Sequence, residues 1–118
     1  MNNRRLVSAH FPYLPIQLRV RRAIQDVEAL LDTGFDGDVA FPAELIMNGD
    51  PPDGHQRWRL ADGSTVRAPY YLGRMRVGSV EIAPIVVTAM GDEAMVGTGI
   101  LTEFTVILDH AQRLIMET

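Results

Sequence analysis

The chain has 118 residues, the size of one ordinary domain, which is enough for one hydrophobic core but not for two. Apolar residues make up 47% of it, which excludes a disordered chain, and a net charge of −4 gives no general attraction to nucleic acid or to an anionic lipid surface. There is no cysteine, so disulfides and thiolate metal sites are excluded.

No apolar run of signal-peptide length follows Arg4 and Arg5 before Pro12 and Pro15. The longest apolar run, residues 82–87, is far short of the ~20 residues that a membrane span needs. The expectation is a soluble cytoplasmic protein, a single domain over residues 1–118, with no membrane and no nucleic-acid partner.

The pattern along the chain is mostly of period two. Ile16, Leu18 and Val20 alternate with Gln17, Arg19 and Arg21, as in a half-buried strand. Val27, Ala29 and Leu31 form one face of the next strand, and Leu30 makes its other face apolar as it approaches Asp32. Residues 38–41 read as a short strand. Residues 42–49 read as a short helix, with Pro42 at its start and Asn48-Gly49 at its exit. Residues 50–54 are a loop by composition.

Trp58 and Leu60 lead into Ala61-Asp62-Gly63-Ser64, a hairpin signal, because Asp and Gly tolerate positive φ. Val66, Ala68, Tyr70 and Leu72 alternate after it. Residues 75–82 read as a second hairpin about Gly78-Ser79, and residues 84–88 as a further strand that is apolar on both faces. Gly91-Asp92-Glu93 is a polar turn. Residues 100–104 read as one or two helical turns, and residues 106–108 and 114–116 as the last strands. Many short strands with frequent turn signals predict an all-β fold, a closed barrel or a sandwich.

One segment carries chemistry. Asp32-Thr33-Gly34 ends an apolar strand and occurs once. Hydrolysis of a peptide bond by carboxylates needs a pair, one ionised as base and one protonated as acid, because two carboxylates about 3 Å apart cannot both carry charge. A single copy per chain therefore implies a homodimer that brings two Asp32 residues together. Thr33 is placed to brace such a pair by hydrogen bonding, and Gly34 permits the tight turn.

The run from Ala29 to Gly34 resembles the active-site loop of retropepsin-like (clan AA) aspartic proteases. Met95-Val96-Gly97, followed by Thr98-Gly99-Ile100-Leu101, resembles the family's second motif, which crosses behind that loop just before a short helix. The longer run Asp32-Thr33-Gly34-Phe35-Asp36-Gly37, closing on Phe41-Pro42, is similar to uncharacterised prokaryotic members of the clan. The resemblance covers the chain from about Pro15 onward.

It implies a retropepsin-like closed β-barrel with one or two short helices and an aspartic-type endopeptidase activity that needs no cofactor. Asp32 is then catalytic, with Thr33 and Gly34 in its supporting loop. Phe35 and Asp36 become substrate-binding residues, together with Asp62, Gly63 and Ser64 at the tip of a flap. Met95, Val96 and Gly97 become the structural crossing. Two features depart from the family. Phe35 replaces a small residue, which narrows the cleft, and the flap tip has one glycine where relatives have several.

Other readings of the same residues are weaker. Asp32, Asp36 and Asp38 have an oxygen-rich spacing but lack the further ligands of a calcium loop, so no metal is expected. His10, His55 and His110 are scattered and read as surface residues. Arg19, Arg21, Arg22, Arg57, Arg59, Arg74 and Arg76 fall on solvent faces of strands rather than on a nucleic-acid surface. The alternative function is a catalytically inactive binding or assembly module that keeps the retropepsin barrel.

Overall fold

The computed structural model describes residues 4–46 and 50–118. In chain order its elements are β1 (Arg5–Ser8), β2 (Tyr13–Val20), β3 (Ala23–Leu31), β4 (Val39–Phe41), α1 (Ala43–Ile46), β5 (Gly54–Arg59), β6 (Thr65–Val77), β7 (Val80–Ala89), β8 (Met95–Val96), α2 (Thr98–Leu101), β9 (Thr105–Asp109) and β10 (Arg113–Glu117). The Asn48-Gly49 exit expected for the first helix lies outside the described residues.

The larger sheet runs β2-β3-β8-β4-β7-β6-β5, and β2 also pairs with β6. That extra pairing, Gln17 to Val20 against Arg76 to Gly73, closes six of the strands into a barrel and leaves β5 outside it. The expected all-β closed barrel with one or two short helices is therefore the observed architecture, with two helices among the described residues. A second, three-stranded sheet runs β1-β10-β9.

The barrel is filled from the faces that the alternation marks. Leu14, Ile16, Leu18 and Val20 on β2 point inward and meet Phe41, Tyr71, Met75, Ile85 and Val87. Each such side chain stabilises the fold by roughly 1.5–3 kcal/mol when fully buried. The parallel pairings β3–β8 and β4–β7 bring residues 30–31 beside 95–96 and residues 39–41 beside 87–89. They are local to the floor of the site and join segments far apart in the chain.

Three readings of the sequence are corrected. Residues 84–88 are not a separate strand but the second half of β7, which starts at Val80. Pro84 is accommodated because β6 offers Arg74 alone between Gly73 and Met75, while β7 offers Ala83 and Pro84 between Ile85 and Ile82. The two-for-one mismatch is a β-bulge, where a missing N–H leaves no gap in the ladder. On β6 the inward face passes from Ala68 to Tyr71, so Leu72 is 48% exposed rather than sharing a face with Ala68. Finally, β1 was not expected. Ser8 is buried on it while Val7 is exposed, so hydropathy gives no signal, and pairing with β10 decides the conformation.

The two expected hairpin turns form. Gly63 has φ 88° in the β5–β6 connection, where its N–H donates to the Leu60 carbonyl, and Gly78 has φ 58° in the β6–β7 turn. Both values favour glycine.

Candidate active site

β3 ends at Leu31 and delivers Asp32 to the rim of the barrel as a half-buried residue. The chain then turns sharply, with the Phe35 N–H donating to the Asp32 carbonyl at 3.3 Å. The Gly34 N–H donates to Oδ1 of Asp32 at 2.9 Å and so fixes the carboxylate. A Cβ at Gly34 would lie 3.2 Å from that same oxygen, so the residue must be small for the carboxylate to sit where it does. Thr33 and Gly34 are both exposed, and the loop presents its carboxylate at an open surface.

The crossing segment holds this loop from behind. The Asp32 N–H donates to the Val96 carbonyl at 2.9 Å, and the Leu30 N–H to the Ala94 carbonyl at 2.9 Å. In return the N–H groups of Gly97, Thr98 and Gly99 donate to the carbonyls of Asp38, Phe35 and Gly37 at 2.9, 2.9 and 3.0 Å. Gly97 is the close point. A Cβ there would stand 2.3 Å from the Gly37 oxygen and 2.5 Å from the Phe35 oxygen, both backbone atoms that cannot move aside. The structure thus brings Asp32, Thr33 and Gly34 together with Met95, Val96 and Gly97 in one hydrogen-bonded unit.

The other aspartates of the loop behave differently. Asp36 is exposed. Asp38 turns its carboxylate toward β7, where Oδ2 accepts the Val86 N–H at 2.9 Å, and so anchors the loop rather than serving it chemically. Among the described residues no cluster of three potential ligands could hold a metal ion. His10, His55 and His110 are exposed.

The β5–β6 hairpin reaches the loop through its arm and not through its tip. Trp58 on β5 packs against Phe35, ring centroids 5.1 Å apart and planes tilted by 46°, and Phe35 is only 7% exposed. The tip is held by its own bonds, with the Ser64 N–H and hydroxyl both donating to Oδ1 of Asp62 at 2.9 and 2.5 Å. These two bonds hold the Asp62 carboxyl below its usual range. A Cβ at Gly63 would meet nothing within 4 Å, so Asp62, Gly63 and Ser64 stand clear of the barrel.

Gln56 was missed in the sequence, and Trp58 was read there only as part of the run into the flap hairpin. Gln56 and Trp58 share the inner face of β5, and Gln56 Oε1 and Trp58 Nε1 are buried without a hydrogen-bond partner. Their alternation with exposed His55, Arg57 and Arg59 is the signal that could have found them.

No protein-family model matches the sequence, and no curated protein does. A solved structure, described as a retropepsin-like aspartic protease from Rickettsia conorii, superposes with a TM-score of 0.68 at 18% identity, over 98% of this chain and 92% of that one. That identity speaks to the backbone and not to the reaction. The chain has a retropepsin-like fold.

Proposed function

We propose that the protein is a homodimeric aspartic endopeptidase in which two Asp32 carboxylates activate a water molecule. The observation that carries this reading is the Asp32 carboxylate itself, held by the Gly34 N–H on an exposed loop whose far side is braced by Val96 and Gly97. Asp38 is committed to Val86 and so is not the second carboxylate, which in this reading comes from Asp32 of a second copy. A twofold axis beside the exposed Thr33-Gly34 turn brings the same residue from each chain to the same point. The likeness to the Rickettsia protease supports the reading at the level of the fold.

In that dimer the pair shares one proton. The ionised member takes a proton from water as the oxygen attacks the peptide carbonyl, and the protonated member gives its proton to the carbonyl oxygen. The resulting tetrahedral species then collapses with proton transfer to the leaving nitrogen. Exposed Asp36 borders the substrate's path and the Asp62–Ser64 tip folds over the bound peptide, whereas Phe35, expected from the sequence to touch substrate, is buried under Trp58 and instead supports the loop.

The test is a peptidase assay on sized species. Asp32→Asn is expected to lower turnover by at least about a hundredfold while leaving the circular dichroism spectrum unchanged. Activity is expected to sediment with the dimer. Undiminished cleavage by the Asp32→Asn protein, or an active monomer, would overturn the proposal.

A further inference from the structure

We infer that Trp58 is a positioning residue: from the flap arm it seats the Phe35 ring, and the seated ring holds the turn that places the Asp32 carboxylate. The consequence for turnover rests on the proposed peptidase reaction, whereas the placement of the carboxylate does not.

The turn from Asp32 to Phe35 contains the bond that aims the carboxylate, from the Gly34 N–H to Oδ1 at 2.9 Å. It is closed by the Phe35 N–H on the Asp32 carbonyl at 3.3 Å. That is longer than the backbone bonds between the loop and the crossing, which run from 2.9 to 3.0 Å. Thr33 and Gly34 are exposed, so packing grips this turn at Phe35, which is buried.

Three surfaces hold the Phe35 ring. A Cβ at Gly97 would stand 2.6 Å from its Cδ2, and one at Gly37 would stand 2.5 Å from its Cζ, so the ring lies on two glycine backbones. Trp58 is the third surface. The same Cβ at Gly37 would stand 2.9 Å from Cη2 of Trp58, so both rings lie over Gly37. The glycines are tied down, since the Gly97 N–H donates to the Asp38 carbonyl and the Gly37 carbonyl accepts the Gly99 N–H.

Trp58 is the surface that can withdraw. β5 is the end strand of its sheet, and from Thr65 to Pro69 β6 pairs with β5 alone. This hairpin can therefore lift without opening the barrel wall. Its inner face carries Gln56 and Trp58, whose Oε1 and Nε1 are buried without a hydrogen-bond partner. A buried polar group left unpaired costs stability, and a Phe or Leu in its place would not incur that cost. Both groups regain bonds to water when the arm lifts. The seated arm is thus held by a narrowed margin, which suits a reversible link between hairpin and loop. With the arm down the carboxylate is placed; with the arm up the Asp32–Phe35 turn loses the ring contact that supports it. A misplacement of about 1 Å at a reacting group can cost on the order of a hundredfold in rate.

A contact that served packing alone would change stability and leave the Gly34 N–H as it was. The experiment measures the temperature coefficient of the Gly34 amide proton in the isotope-labelled full chain, which separates a bonded from a free N–H. Asp32→Ala removes the acceptor and sets the free value. Trp58→Ala is expected to move Gly34 at least about halfway to that value, and Trp58→Phe to keep it near the parent's. Gly37→Ala presses a Cβ against both rings and is expected to act as Trp58→Ala does. Arg57→Ala, on the exposed face of β5, is expected to leave Gly34 unchanged. The Val86 amide, bonded to Asp38, is expected to keep its parent value throughout, which shows that the barrel is folded. In peptidase assays Trp58→Ala is expected to lower kcat at least about tenfold with KM within about threefold, and Trp58→Phe to restore most of kcat. A Gly34 amide unmoved in both Trp58→Ala and Gly37→Ala overturns the inference, whatever the activity. So does a rise in KM at constant kcat in Trp58→Ala, which would make Trp58 a substrate contact. A parent protein without peptidase activity whose Gly34 amide responds as expected upholds the positioning role and overturns the peptidase reading alone.

Discussion

Phe35, the residue that follows Asp32-Thr33-Gly34, packs against Trp58 of β5 with ring centroids 5.1 Å apart. Trp58 is the only tryptophan in the chain, so its emission reports the seating of the hairpin on the loop. Phe35→Ala is expected to shift that emission to the red and to increase its quenching by acrylamide. Loss of a nearly buried aromatic ring is expected to cost about 3 kcal/mol in denaturant unfolding.

Two glycines of the site are expected to fail in different ways. Gly97→Ala places a Cβ against the backbone oxygens of Gly37 and Phe35, and unfolding measurements should show a loss of about 3 kcal/mol or more. Gly34→Ala meets only the side-chain oxygen of Asp32, at 3.2 Å. It is expected to leave stability within about 1 kcal/mol while displacing the carboxylate. Peptidase turnover should then fall by about tenfold.

Asp38 is expected to behave as an anchor. Asp38→Ala strips the Val86 N–H of its acceptor and should destabilise the fold by about 1–3 kcal/mol. Asp38→Asn retains an acceptor oxygen and should cost less. Equal losses in thermal unfolding of the two variants would remove the hydrogen bond from the explanation.

Asp53 links stability to pH. The Leu72 N–H, at 2.7 Å, and then Arg21 hold its carboxyl below the ordinary value of 3.8. A carboxyl with a depressed folded-state value contributes stability that is present above the unfolded value and is lost as pH falls through the folded one. Melting temperature is therefore expected to decline below about pH 4, and the gap between the parent and Asp53→Asn to narrow over that same range. A gap that stays constant from pH 6 to pH 2 would count against this linkage.

The parts of the fold legible in the sequence are those where one strand face is buried and the other is wet. The alternation on β2 and the Gly78-Ser79 turn are of this kind. The loop at Asp32 and the crossing at Gly97 were legible through their resemblance to the motifs of retropepsin-like proteases, and the structure puts their glycines where backbones approach closely. Tertiary pairing hid the rest. β1 buries a serine and exposes a valine because its Ser8 hydroxyl donates to the Tyr13 carbonyl at 2.7 Å, which no hydropathy pattern shows. β6 changes its inward face between Ala68 and Tyr71, where it passes from the hairpin to the barrel wall, so a single period could not place Leu72. Pro84 looked like a strand start because the bulge that admits it is a property of two strands together.

The bonds from Asp32 to Val96 and from Gly97 to Asp38 have a consequence for the order of assembly. The two halves of the candidate site are made at different times, because residues 94–99 leave the ribosome long after residues 30–38. Until they emerge, the loop bearing Asp32 has no backing and its amide no acceptor. A nascent chain ending before β8 therefore has the motif without the geometry. The bonds that hold this loop in place therefore form only once the chain has been made past the crossing.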